Sequence, residues 1–307
     1  MLFRARTALA ALAVVVGCTG CGLGPGPGTG AVNLDVTRSF GGEQLRAVSP
    51  KHVRGSETVM RMLQRSFRVA TRYGGGFVQS IDGYAGASSV AWFYYINGIQ
   101  ARQGAATTLV HKGDRIWWDL HDWRATDSIP AVVGSYPEPF VHGVGGKRFP
   151  TTLECGSGVA AACKRVTVAL SARHVPIANQ LIGTGSGPDT LGVVVGTWSE
   201  VRSELAAQLI AHGPSASGVY ARFAGPGADE LQLLDPSGHV ARTLGPGTGL
   251  IAATADSSDA PTWLITGTDA AGVAAAARAL TPQALHDHFA LAVDGTARLP
   301  VPVQASR

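Results

Sequence analysis

Val90-Ala91-Trp92-Phe93-Tyr94-Tyr95-Ile96-Asn97-Gly98 and, after residues 99–111, Lys112-Gly113-Asp114-Arg115-Ile116-Trp117-Trp118-Asp119 decide the fold of this chain. Asn-Gly is the strongest short hairpin signal, because both central residues of a type I′ turn need positive φ. Residues 92–96 therefore read as a strand that turns at Asn97-Gly98, and residues 115–123 as a second aromatic strand. Side chains alternate across a strand, so Ile116, Trp118 and Leu120 share one face while Trp117, Asp119, His121 and Trp123 share the other. The apolar trio is the natural core face. Indoles, a carboxylate and an imidazole are then expected to point at water, where exposed tryptophans usually touch a partner. Trp92, Tyr94 and Ile96 occupy alternate positions and read as core. Tyr95 joins Trp117, Asp119, His121 and Trp123 as the candidate ligand-binding surface.

Upstream, residues 32–40 alternate as a strand, Gly41-Gly42 breaks it, and residues 43–48 return as its partner. A helix should follow, with Ser56 as N-cap and Val59, Met60, Met62, Leu63 and Phe67 at helical spacing. Residues 77–81 read as another strand, with Asp82-Gly83 as its turn. The order of hairpin, helix and several strands suits a β-grasp, a sheet wrapped on one helix, over residues 31–144.

Five short motifs in this part fall in a familiar order: Thr58-Val59-Met60-Arg61-Met62-Leu63, Gly76-Phe77-Val78-Gln79-Ser80-Ile81-Asp82-Gly83, residues 92–98, Gly104-Ala105, and Lys112 through Trp118. The set resembles the transcobalamin C-terminal-like family of soluble-ligand-binding β-grasp domains. The resemblance implies extracytoplasmic binding of a small molecule, cobalamin or a related corrinoid being the best-known ligand of the animal relatives. In bacteria such domains often sit on surface lipoproteins, and family habit suggests a membrane transporter complex, such as an energy-coupling-factor importer, as partner. The cobalamin carriers hold their ligand against a large helical toroid, and no repeated helical pattern of that kind is present here. A corrinoid would then bind modestly or need a separate helical protein to complete its site. His121 could face a cobalt ion as neutral imidazole, although a solvated strand histidine is the plainer reading. A metal site from Asp119, His121 and Asp122 is disfavoured, since Asp119 and Asp122 should project to opposite faces.

The amino terminus speaks to compartment. Arg4 and Arg6 precede an uncharged run at residues 7–16, a basic region and a hydrophobic core too short to span a bilayer as a mature helix. Residues 1–17 read as a secretion signal. Val15-Val16-Gly17-Cys18 resembles the lipobox of bacterial lipoproteins, in which the Cys carries lipid and becomes the first mature residue. Cys21 fits worse, since Cys18 would occupy the aliphatic position of its box, and Cys18-Thr19-Gly20-Cys21 as a redox motif lacks strand-helix context. Two acyl chains give stable attachment, so the expected localisation is the extracytoplasmic face of the cell membrane, lipid-anchored. Residues 18–30 form a Gly/Pro tether, and the nine residues from Gly22 to Gly30 reach about 30 Å when extended.

A hydrophobic share of 45% with only 15% charged residues is ample for a core and unlike a disordered chain. The formal net charge of +4 comes from scattered basic residues, without the clustered stripe that nucleic-acid binding needs. Cys155 and Cys163, close in sequence in an oxidising compartment, read as a disulfide.

Residues 151–307 read as a mixed α/β domain, which makes the whole chain α+β in class. Residues 191–195 before Gly196-Thr197 and a helical run at 199–210, and residues 263–266 before Gly267-Thr268 and an Ala-rich run at 270–280, form two similar βα units. They are expected to be neighbouring parallel strands. Between them, residues 218–223, 230–234 and 240–244 read as antiparallel strands, with residues 235–238 as a turn. The Gly-Thr junctions lack the glycine fingerprint or P-loop Lys of a nucleotide site. No Gly-x-Ser-x-Gly, His-Glu-x-x-His or Ser-x-x-Lys is present, and His286-Asp287-His288 reads as a solvated turn with a weak metal hint. Residues 136–140, stiffened by two prolines, read as the link between the parts in preference to a rim of the ligand surface. The sequence thus points to a binding lipoprotein rather than an enzyme, the rival being an interaction module whose aromatic face binds a protein or glycan.

Overall fold

In the first part the chain runs β1 (Asn33–Arg38), β2 (Glu43–Val48), α1 (Val59–Ser66), β3 (Val69–Arg72), β4 (Phe77–Ile81), β5 (Tyr84–Ala85), β6 (Val90–Ile96), β7 (Ile99–Gln100) and β8 (Arg115–Asp122). These come from a computed structural model that describes residues 31–256 and 260–304. The expected signal, tether and Cys18 lie outside the described residues. A five-stranded sheet forms in the order β2-β1-β8-β6-β7. Its central pair, β1 and β8, is parallel, and its other pairs are antiparallel. β3, β4 and β5 make a separate small sheet.

Hairpin chemistry places these strands as the sequence implies. Asn97 and Gly98 both have positive φ, 54° and 79°, and turn β6 onto β7. Helix α1 starts two residues later than expected: Thr58 is the N-cap, its Oγ1 accepting from the main-chain N–H of Arg61 at 3.3 Å. Val59, Met60, Met62 and Leu63 of α1 pack on Leu34 and Val36 of β1, on Trp92, Tyr94 and Ile96 of β6, and on Ile116, Trp118 and Leu120 of β8. The apolar trio of β8 does face this core.

The second part contains β9 (Thr151–Cys155), α2 (Ala160–Ser171), β10 (Ile177–Gln180), β11 (Leu191–Thr197), α3 (Trp198–Val201), α4 (Leu205–Ala211), α5 (Pro214–Ser217), β12 (Ala221–Ala224), β13 (Glu230–Leu234) and β14 (Val240–Leu244). It ends with β15 (Thr248–Thr254), β16 (Thr262–Gly267), α6 (Ala270–Ala279), α7 (Pro282–Leu285), β17 (Ala290–Asp294) and β18 (Ala297–Val301). Its seven-stranded sheet runs β10-β9-β11-β16-β15-β17-β18, and β12, β13 and β14 form an antiparallel sheet of their own. The α+β class is therefore observed. β11 and β16 are parallel neighbours, pairing Val193 with Trp263. The helical run expected at 199–210 is broken into α3 and α4. Cys155 and Cys163 are bonded, with Cα atoms 6.0 Å apart.

One face of the large sheet is covered by α2 and α6, together with Tyr136 and Phe140 of the link. The link therefore plugs into the second core as well as joining the parts. Tyr136 and Phe140 sit 5.9 Å and 5.1 Å from the Trp263 ring. The other face shares a single apolar cluster with the back of the first sheet. Phe40, Tyr95, Trp117, Ile129 and Val132 meet Val194, Trp198, Tyr220, Leu264 and Phe289 there.

Candidate functional site

The shared cluster corrects the expected ligand surface. Tyr95, Trp117 and Asp119 have no exposure and His121 has 2%, whereas Trp123, just past the end of β8, is 41% exposed. The row does lie opposite the α1 face, as strand alternation requires, but it points into the second part rather than at water. A sheet apolar on both faces must bury both, and the second half supplies the cover. Phe289 stands edge-on to Trp117, Tyr95 and His121 at centroid distances of 5.1, 5.6 and 5.3 Å.

The polar members of the row are consumed locally. Trp117 Nε1 donates to Thr37 Oγ1 at 2.7 Å, and that hydroxyl donates to Asp119 Oδ2 at 2.5 Å. Asp119 also accepts from the main-chain N–H groups of Phe40 and Gly41 and lies 2.8 Å from His121 Nδ1. The Asp119 carboxylate thus anchors the positive-φ turn of the first hairpin, in which Ser39, Phe40 and Gly41 have φ of 58°, 57° and 77°. His121 stacks on Phe93 at 4.5 Å. Neither side chain has a path to a ligand.

Asp287, read as part of a solvated turn, is buried as well. Arg115 of β8 reaches across to it, Nη2 to Oδ1 at 2.7 Å, while Nε donates to Asp35 Oδ2 at 2.9 Å and Nη1 to the Gly134 carbonyl at 2.7 Å. His286 completes the cluster, its Nε2 3.2 Å from Arg115 Nη2 and its Nδ1 3.1 Å from Asp287 Oδ2. Asp35, His286 and Asp287 could each turn one ligand atom to a metal, within 4.8 Å of one another. The guanidinium already supplies positive charge to both carboxylates. A metal would have to displace it, so the group reads as an ion-pair network between the parts. Burial raises the Asp35 carboxyl above its usual range, against the pull of Arg115. The hydrogen bond to Asp287 raises His286, and burial lowers His288.

Access to solvent lies elsewhere between the parts. A cleft of about 510 Å³ opens over β7 and the segment that follows it. Its first wall is lined by the apolar Ile96, Ile99, Ala101 and Leu109 together with the polar Arg102, Thr107 and His111. Val144, Phe149, Pro188 and Ala260 form the facing wall, with Asp189 as its charged group. A second hollow of about 440 Å³ lies beside it, so residues 99–102 form a ridge between two recesses.

The two turn motifs, Asn97-Gly98 and Lys112-Gly113-Asp114, hold this cleft in shape. Asn97 donates through Nδ2 to Asp114 Oδ1 at 2.9 Å and to the Gly143 carbonyl at 2.6 Å, and its Oδ1 accepts from the Arg115 N–H at 2.7 Å. Asp114 Oδ2 accepts the main-chain N–H of His111 at 2.7 Å. Burial raises the Asp114 carboxyl, with those hydrogen bonds opposing the shift. His111 Nδ1 sits 3.6 Å from Asp114 Oδ2 and has no hydrogen-bond partner among the described residues. Residues 56–122 match the family described as Domain of unknown function (DUF4430). That span contains all five motifs quoted above. No curated protein matches the chain.

Among solved structures, a protein of Ruminococcus gnavus ATCC 29149 described as a "putative metal binding protein" aligns over 30% of this chain and 97% of its own. The identity is 14% and the TM-score 0.25. The likeness is slight, and the cleft rests on this chain's own residues.

Sequence patterning did not find the cleft. The available signal was the segment from 101 to 114, a loop long enough that such segments are usually functional or disordered. The Gly-Thr junctions of the second part hold no free anion site: Glu200 accepts the Thr197 and Gly158 N–H groups, and Asp269 accepts those of Gly272 and Gly247.

Proposed function

We propose that the chain is a lipoprotein of the extracytoplasmic face of the cell membrane, anchored through Cys18, that captures a small molecule in the cleft over β7. The cleft carries this reading. Its volume of about 510 Å³ falls within the roughly 300–1,000 Å³ of sites that enclose small ligands, and a largely apolar lining with a few polar groups is the usual composition of such sites. Both parts of the chain contribute walls, so a bound molecule would bridge them.

Kinship with the transcobalamin C-terminal-like domains belongs to the same proposal, because small-molecule capture outside the cytoplasm is what that resemblance implies. Cobalamin is larger than a drug-sized ligand. A cleft of this volume suits a smaller molecule, or one edge of a corrinoid whose remainder a separate protein covers. A membrane importer would then receive the ligand. The rival interaction module loses its surface, because the aromatic face that was to bind a protein or glycan is covered. No reaction is proposed, since the Asp119–His121 pair is sealed in the core.

Native mass spectrometry of the chain purified from its own membranes, followed by calorimetric titration with cobalamin and cobinamide, tests the cleft. A co-purifying small molecule or corrinoid binding is expected, and Ala101→Trp should abolish it by filling the cleft. Retention of the ligand in that variant, or no ligand by either method, refutes the assignment. For the anchor, labelled fatty acid should enter the wild type and not Cys18→Ala; label persisting in the variant excludes Cys18.

A further inference from the structure

We propose that Arg46, Arg65 and Arg68 form an anion site for a phosphate-bearing group, separate from the cleft over β7. A surface hollow of about 490 Å³ is lined by these three arginines with Ser66, Phe67 and Asp82. Three places in the chain deliver them: Arg46 from β2, Arg65 from the last turn of α1, and Arg68 from the link into β3. Helix electrostatics accounts for one of the three. A cation in the last turn meets the negative end of the helix dipole, and Arg65 is paired with the buried carboxylate of Glu57.

The same argument leaves Arg46 and Arg68 unexplained. Arg46 holds its Cζ 5.2 Å from the centre of the Phe67 ring, a cation–π contact. Its Nη1 is 3.8 Å from Asp82 Oδ2, and Asp82 Oδ1 accepts the main-chain N–H of Arg68 at 2.8 Å. Asp82 is therefore committed both to the loop and to Arg46. Counting Glu57, three guanidiniums stand against two carboxylates around the hollow. Each guanidinium carries five N–H donors in a rigid fork, of which one carboxylate engages two at most. The remaining donors, with the Ser66 hydroxyl, suit the several acceptor oxygens of a phosphate, the group that arginine forks match in geometry as well as charge.

Free phosphate and a phospholipid headgroup share this chemistry, and two arms of one experiment separate them. The mature chain, residues 18–307, carrying Cys18→Ala so that neither the signal segment nor an acyl anchor contributes, is titrated with inorganic phosphate by calorimetry and sedimented with phosphatidylglycerol or phosphatidylcholine vesicles. Heat with phosphate identifies a free or terminal phosphate; sedimentation with phosphatidylglycerol alone identifies an anionic lipid headgroup. In either case Arg46→Gln with Arg68→Gln should weaken binding roughly twenty-five-fold, from about a factor of five for each basic side chain at an anionic surface. Arg68→Glu, a single exposed change that keeps the main-chain bond to Asp82, provides the same readout if the double variant folds poorly. No binding in both arms, or binding that these variants leave unchanged, overturns the proposal.

Discussion

Truncating Trp117 to Ala tests whether the two parts share a core. The indole has no exposure, its Nε1 donates to Thr37 Oγ1 at 2.7 Å, and its ring lies 5.1 Å from Phe289 and 5.8 Å from Tyr95. The backbone already presses close: a methyl group built on Gly41 would come within 3.1 Å of the indole, and one on Gly134 within 2.8 Å. The space left by the indole is held open by rigid neighbours from both parts. Buried Trp→Ala changes cost about 3–5 kcal/mol, more where the site cannot collapse. Loss of the indole donor adds at most about 1 kcal/mol, because the Thr37 hydroxyl keeps its bond to Asp119. About 4 kcal/mol is expected, a large share of the roughly 5–15 kcal/mol that separates folded from unfolded domains. Trp123→Ala, on the same strand face but 41% exposed, should cost only about 0.5 kcal/mol. Urea unfolding of both variants, followed by far-ultraviolet circular dichroism, measures the difference. A loss below about 1 kcal/mol for Trp117→Ala, or one equal to that of Trp123→Ala, would refute the shared core.

Arg115→Met strands Asp35 and Asp287 without their counter-ion, so denaturant unfolding should show a loss of about 3–5 kcal/mol, shrinking toward acid pH as the already raised Asp35 carboxyl takes a proton. The raised His286 contributes stability that is complete below its ordinary value of 6.5 and disappears as pH climbs through the raised value; thermal melts across that window should therefore fall more steeply for wild type than for His286→Gln, and parallel curves would count against the Asp287 contact. Cys163→Ser opens a loop of sequence separation 8 and should cost about 2.5 kcal/mol, while reduction of the wild type should add the mass of two hydrogens.

Much of the fold was legible because its signals are local. Asn97-Gly98 needs only its own two positive φ values to turn a strand, and the first hairpin, α1, the β11 and β16 units and the β13–β14 turn all declare themselves within about twenty residues of continuous chain. Helix boundaries were less clear. Thr58 rather than Ser56 caps α1, because the cap is chosen by which hydroxyl reaches the Arg61 N–H, a geometry that two nearby hydroxyl residues both suggest. The break between α3 and α4 is hidden in a continuous amphipathic pattern.

Strand alternation by itself determined that Trp117, Asp119 and His121 lie opposite Ile116, Trp118 and Leu120, since a period of two is a property of the backbone. It could not determine what lies beyond that opposite face. Phe289 is more than 160 residues away in the chain, and only the closing of the second sheet against the first brings it over Trp117. The same closure turned Asp287 from a surface acid into the partner of Arg115 and opened the cleft where the two walls do not quite meet. Burial is a relation between distant segments, which local sequence does not encode.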